Sequence, residues 1–187
     1  MLRGSILLLL GFCFADVWGV ERGGVEIPDS VTLDDGTRLV LNGAGIRKRL
    51  FVKVYVGALY LPQPESDAEQ AIGLPGAKRV LMHFVYDEVA KTKITAGWDR
   101  GFEANLGAEA YRQMRPRLDR FNAMFEDMRA GDRIELTYLP RQGTRVSVRG
   151  KERGVVEGED FAQSLMRVWL GDEPADPGLK RAMLGQD

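Results

Sequence analysis

Residues 51–61 read FVKVYVGALYL, a run whose two alternating faces are both largely apolar. That pattern predicts a central strand covered on each side, not an edge strand with one wet face. Pro62 and Pro64 end it. Upstream, Asn42-Gly43-Ala44-Gly45 punctuates the chain ahead of the basic triplet Arg47-Lys48-Arg49. Residues 25–31 and 38–41 are shorter β-prone stretches, parted by the turn signal Asp34-Asp35-Gly36.

Downstream, residues 67–74 predict a short helix and RVLMHFVY at 79–86 another buried strand. Ile94, Trp98, Phe102 and Leu106 then recur every four residues, and a second stripe runs through Tyr111, Met114, Leu118, Phe121, Phe125 and Met128. Both predict helices, the second extending to Gly131, with Pro116 kinking it or opening a fresh helix. Residues 133–139, 144–149 and 153–157 read as an antiparallel meander with Gly-containing turns. A helix over 159–170 turns Phe161, Leu165, Val168 and Trp169 inward and stops at Gly171. Asp176-Pro177 supplies an N-cap and a Pro at the first helical position of a last helix through Met183. Strands, helices, more strands and more helices make an α+β chain with a mainly antiparallel sheet.

The chain has 187 residues, 26 Lys and Arg against 27 Asp and Glu, one His and one Cys. A formal charge of −1 gives no electrostatic reason to expect nucleic acid or an anionic membrane as partner. One His and one Cys exclude most zinc sites, Ser-His-Asp triads and Cys-His dyads, so no metal or cofactor is expected. Residues 1–19, MLRGSILLLLGFCFADVWG, combine a basic start at Arg3 with an apolar run from Ile6 to Phe14 that is too short to span a bilayer. They predict a secretory signal cleaved near Gly19, with an uncleaved anchor as the alternative. Cys13 leaves with the signal. The domain is then residues 20–187, periplasmic or secreted, stabilised by its core without a disulfide and with no stable membrane span. Its oligomeric state is left open.

Gly43-Ala44-Gly45-Ile46-Arg47 followed by FVKVYVGALYL resembles the central hairpin of chalcone isomerase-like proteins, and ITAGWDRGFEANL at 94–106 and the stretch from Leu170-Gly171 to Arg181 resemble that family too. The likeness is strongest to its exported bacterial branch. It implies an open-faced β-sandwich, a large antiparallel sheet with helices on one face and a ligand cleft between them. It also implies one of two activities: intramolecular addition of a phenolate, as in the plant isomerases, or non-catalytic binding of fatty acids. The isomerase cleft uses an Arg, a strand Thr, a helix Tyr, an Asn and a C-terminal Thr. These fall on Arg47, Tyr55, Trp98, Asn105 and Val168, so two of five are retained. Fatty-acid-binding members pair an Arg and a Tyr where this chain has Arg47 and Tyr55.

A cyclising isomerase stabilises a developing enolate with hydroxyl groups. Trp98 offers only a donor N–H and Val168 nothing polar, which disfavours flavanone formation. Arg47 instead suits a carboxylate, bound bidentately by its guanidinium with the Tyr55 phenol as a second donor. Phe51, Val54, Trp98 and Phe102 would surround the tail of a small apolar carboxylate, fatty acid-like. On one extended strand Arg47 and Tyr55 would stand roughly 26 Å apart at about 3.3 Å per residue. They meet only if the chain reverses around residues 48–50. Arg47 in its basic cluster is otherwise a solvated charge, Tyr55 and Trp98 are otherwise core aromatics, and Asn105 is either a ligand contact or a helix-end cap. His83 reads as a satisfied strand histidine, and Asp87, Glu88 and Glu103 as a solvated face. Three functions stand open: a binding domain for an apolar carboxylate, an intramolecular lyase on an unknown substrate, and a partner-binding domain whose cleft is filled.

Overall fold

In a computed structural model, residues 19–186 are described. The expected signal lies outside them except for Gly19, which opens the first strand. Sixteen elements follow one another: β1 (Gly19–Arg22), β2 (Val25–Pro28), β3 (Ser30–Thr32), β4 (Arg38–Arg49), β5 (Val52–Leu61), α1 (Ala68–Gly73), β6 (Lys78–Phe84), β7 (Glu88–Val89), α2 (Lys91–Asn105), α3 (Ala108–Ala123), β8 (Met128–Arg129), β9 (Arg133–Leu139), β10 (Gly143–Val148), β11 (Lys151–Val156), α4 (Glu159–Leu170) and α5 (Pro177–Met183). The architecture is α+β, with one antiparallel seven-stranded sheet in the order β11-β10-β9-β6-β5-β4-β3.

β5 lies inside the sheet between β4 and β6, as its two apolar faces demand. Tyr55, Leu59 and Leu61 point into the core shared with the helices, together with Phe102, Phe121, Phe161 and Trp169. Val56, Ala58 and Tyr60 point the other way, against Val25 and Ile27 of the β1–β2 hairpin. The period of two thus distributes one strand between two cores.

Three local readings change. Asn42-Gly43-Ala44-Gly45 does not interrupt the chain but lies within the twelve-residue β4. Its glycines admit α5: a Cβ at Gly43 would run into the Ala182 carbonyl oxygen, and one at Gly45 would sit 2.5 Å from the Ala182 Cβ. The second helical stripe ends at Ala123, short of Met128. Phe125 and Met128 are buried all the same, because the chain beyond the helix re-enters the core and pairs β8 with β7. Pro116 does not open a fresh helix, because α3 runs through it with the proline on its exposed side. The missing N–H there deprives a carbonyl that water can reach. Asp176 caps α5 as expected, accepting from the backbone N–H groups of Gly178 and Leu179.

Candidate functional site

The chain does reverse between Arg47 and Tyr55. β4 and β5 form a hairpin turning at Leu50-Phe51, and the register sets Arg47 directly opposite Tyr55. A bulge between Arg47 and Lys48 re-aims the strand end. Asp176 ties this end to α5, because its second carboxylate oxygen accepts the Lys48 backbone N–H at 2.9 Å. The Arg47 guanidinium carbon lies 5.7 Å from the centroid of the Tyr55 ring, within reach of a cation–π contact.

Between this hairpin, α2 and the segment before α5 opens a cavity of about 700 Å³. Arg47, Tyr55, Trp98 and Val168 all line it, as do Val54, Met82, Phe84, Val89 and Ile94. The space between sheet and helices is therefore not packed solid, against the filled-cleft expectation. Asn105 does not line it. Its side-chain N–H₂ donates to the Gly101 and Glu173 carbonyls, both at 2.9 Å, and its oxygen accepts the Glu173 backbone N–H at 3.0 Å. Gly171 leaves room for this clasp, since a Cβ there would run into the Asn105 oxygen. Asn105 thus holds the chain at Glu173, and Glu173, Pro174 and Ala175 form part of the wall.

Two of the four apolar neighbours expected around Arg47 and Tyr55 lie elsewhere. Phe51 is 99% exposed at the hairpin tip, because a turn residue has no core to face. Phe102 is fully buried against Phe161 behind the wall. Val54 and Trp98 do line the cavity.

Polar groups are few and placed. Tyr55 is buried, and its hydroxyl accepts the indole N–H of Trp169 at 2.9 Å. Burial pushes the Tyr55 phenol up, and the Asp176 charge adds to this; Arg47 and the Trp169 hydrogen bond only oppose it. The phenol therefore stays neutral near pH 7, with its own proton still to donate. The Trp98 indole N–H is buried with no hydrogen-bond partner among the described residues. Such a donor is costly unless something polar meets it. Arg47, Arg49, Lys93 and Arg100 stand around the cavity against Glu88 and Glu173. None of those four cations is in an ion pair among the described residues, whereas Glu88 pairs with Arg129.

Residues missed in the sequence include Trp169 as the partner of Tyr55, and the small stripe Gly97, Gly101 and Ala104 on α2. The stripe had a legible signal: positions three and four apart share one helical face, and small residues there leave space. Among the described residues no cluster of three or more His, Cys, Asp or Glu is placed to hold a metal, and no helix is long and apolar enough to cross a membrane.

A family model described as chalcone isomerase-like matches residues 19–185. No curated protein sequence matches. Among solved structures, the chain is similar to the crystal structure of a fatty-acid binding protein from Arabidopsis thaliana, with a TM-score of 0.65 and 16% identity over 83% of this chain and 95% of that one. At that identity the likeness concerns the fold.

Proposed function

The chain belongs to the chalcone isomerase-like family, and on that premise we propose that it binds a fatty acid or another apolar carboxylate without transforming it. The observation that carries this is Arg47, a guanidinium with no carboxylate partner among the described residues, standing over Tyr55 in the wall of a largely aliphatic and aromatic cavity. Its volume of about 700 Å³ falls within the 300–1,000 Å³ typical of ligand pockets. The head group pairs with Arg47 in two parallel hydrogen bonds. The tail lies against Met82, Phe84, Ile94 and Trp98. Cyclisation chemistry has less support, since Trp98 and Val168, both in the wall, bring no hydroxyl to a developing enolate. The fatty-acid binding of the similar plant protein points the same way. On the strength of residues 1–19, the binding takes place after export, in a periplasm or outside the cell.

Native mass spectrometry of the purified protein tests this. Adducts with the masses of long-chain acids, removed by delipidation and restored by adding the acid, are expected. Delipidated protein that takes up no labelled acid while converting a chalcone to its flavanone would reverse the assignment.

A further inference from the structure

Five large apolar side chains are exposed among the described residues, and four of them gather at one place: Leu50, Phe51 and Val52 at the tip of the β4–β5 hairpin, and Tyr86 beside it. The Tyr86 backbone N–H donates to the Val54 carbonyl, which fixes that neighbourhood. The tip is also basic. Residues 47–53 read RKRLFVK, four cations and no acid, in a chain whose total charge is only −1. Lys48 and Lys53 are direct cross-strand partners. Like charges so placed repel, and neither has an ion-pair partner among the described residues. The turn itself is strained, since Leu50 has φ +56°, a conformation for which Gly or Asn is the ordinary choice. A hairpin that needed only to turn would gain from a glycine there and from a glutamate opposite a lysine. This one keeps a leucine, a fully exposed phenylalanine and a basic collar with no ion pair among the described residues.

We propose that the hairpin tip docks on an anionic phospholipid bilayer, with Phe51 and Leu50 entering the boundary between head groups and acyl chains and Lys48 and Lys53 meeting lipid phosphates. Apolar wedges ringed by Lys and Arg bind such surfaces through buried area and attraction to anionic lipid together. Four cations with no acid in the segment complement anionic head groups, and that charge complementarity favours a lipid surface as the partner. The tip is continuous with the cavity, because Arg49, Leu50, Val52 and Tyr86 also line it. If the cavity holds an acyl chain, the wedge brings its mouth to the acyl layer; docking itself does not depend on that reading.

The test is flotation of the purified protein with vesicles of equal parts phosphatidylglycerol and phosphatidylcholine, against phosphatidylcholine alone. Lys48, Phe51 and Lys53 do not line the cavity, so their variants are the probes. Binding to the anionic vesicles is expected, weakened in 0.5 M salt. Lys48→Gln/Lys53→Gln should weaken it about 25-fold, at about fivefold for each lysine, and Phe51→Ser about tenfold or more. Binding no stronger to anionic than to neutral vesicles overturns the proposal. So does unchanged binding by the variants, or a dimer abolished by Phe51→Ser while the vesicles stay bare. Fatty-acid uptake in vesicle-free solution, measured on the same variants, should equal that of the parent. A failure of the cavity reading therefore appears in a different assay from a failure of the docking surface.

Discussion

Gly97 lies in the middle of α2 and lines the cavity, and a Cβ built there meets nothing within 4 Å. Two substitutions at this one position separate the helix from the cavity. Gly97→Ala removes the backbone-entropy penalty of an interior helical glycine, worth about 0.8–1 kcal/mol. For a domain of this size that raises Tm by about 2–4 °C. A methyl group takes little from about 700 Å³, so ligand affinity should stay within about twofold, well under the tenfold that 1.4 kcal/mol represents. Gly97→Phe keeps about half the helical gain but sets a ring where the acyl chain is to lie. Displacing roughly four methylenes at about 0.8 kcal/mol each removes about 3 kcal/mol of binding, roughly a 200-fold loss. Thermal unfolding of the delipidated protein and titration with a fluorescent long-chain acid read the two effects. A destabilised Gly97→Ala would mean that the space beside Gly97 is not open. A Gly97→Phe protein that binds the acid as the parent does would mean that the ligand sits elsewhere.

Gly43→Ala should lower stability by about 1–3 kcal/mol, since the new methyl runs into the Ala182 carbonyl and lies 2.9 Å from that of Met183, backbone atoms that cannot swing away; chemical denaturation measures it. Asn105→Ala removes the clasp on Glu173 and should cost about 2 kcal/mol, so that Tm falls by roughly 4–8 °C. His83 is the single histidine, and its pKa is lowered by burial first and by the Arg133 charge second, while its Nδ1 accepts from Arg133 at 3.3 Å. The unfolded chain therefore takes up a proton before the folded one does. Stability should fall as pH drops below the ordinary histidine value of about 6.5. Urea unfolding between pH 7 and pH 5.5 should show this slope in the parent and a flatter one in His83→Gln.

The sheet was legible where pattern alone decides it. Residues 51–61 carry apolar side chains on both faces and take the interior position, and Asp176-Pro177 starts a helix in the expected way. The hairpin that brings Arg47 to Tyr55 was legible only through the family resemblance, not from its turn residues. Its turn, Leu50-Phe51, has none of the Gly, Asn, Asp or Pro that mark turns, and instead strains a leucine. Gly43 and Gly45 looked like punctuation because what requires them is a helix about 140 positions away. Asn105 shared a helical face with Trp98, yet its partners are the Gly101 carbonyl of its own helix and the Glu173 backbone, in a loop whose path no local pattern reveals. The basic cluster at residues 47–49 was visible, but a total charge of −1 gave it no partner, and the exposed Leu50, Phe51 and Val52 beside it show only in the fold. Three of the four expected ligand contacts, Arg47, Tyr55 and Trp98, do line one cavity.

The most direct measurement compares a fatty acid with the fatty alcohol of the same length on delipidated parent and Arg47→Ala. A charged hydrogen-bonding head group is worth about 1.5–3 kcal/mol, so the parent should prefer the acid by roughly 10- to 150-fold. Arg47→Ala should lose that preference while binding the alcohol as before. A parent that binds acid and alcohol equally, or an Arg47→Ala protein that keeps the preference, would contradict a carboxylate held at Arg47.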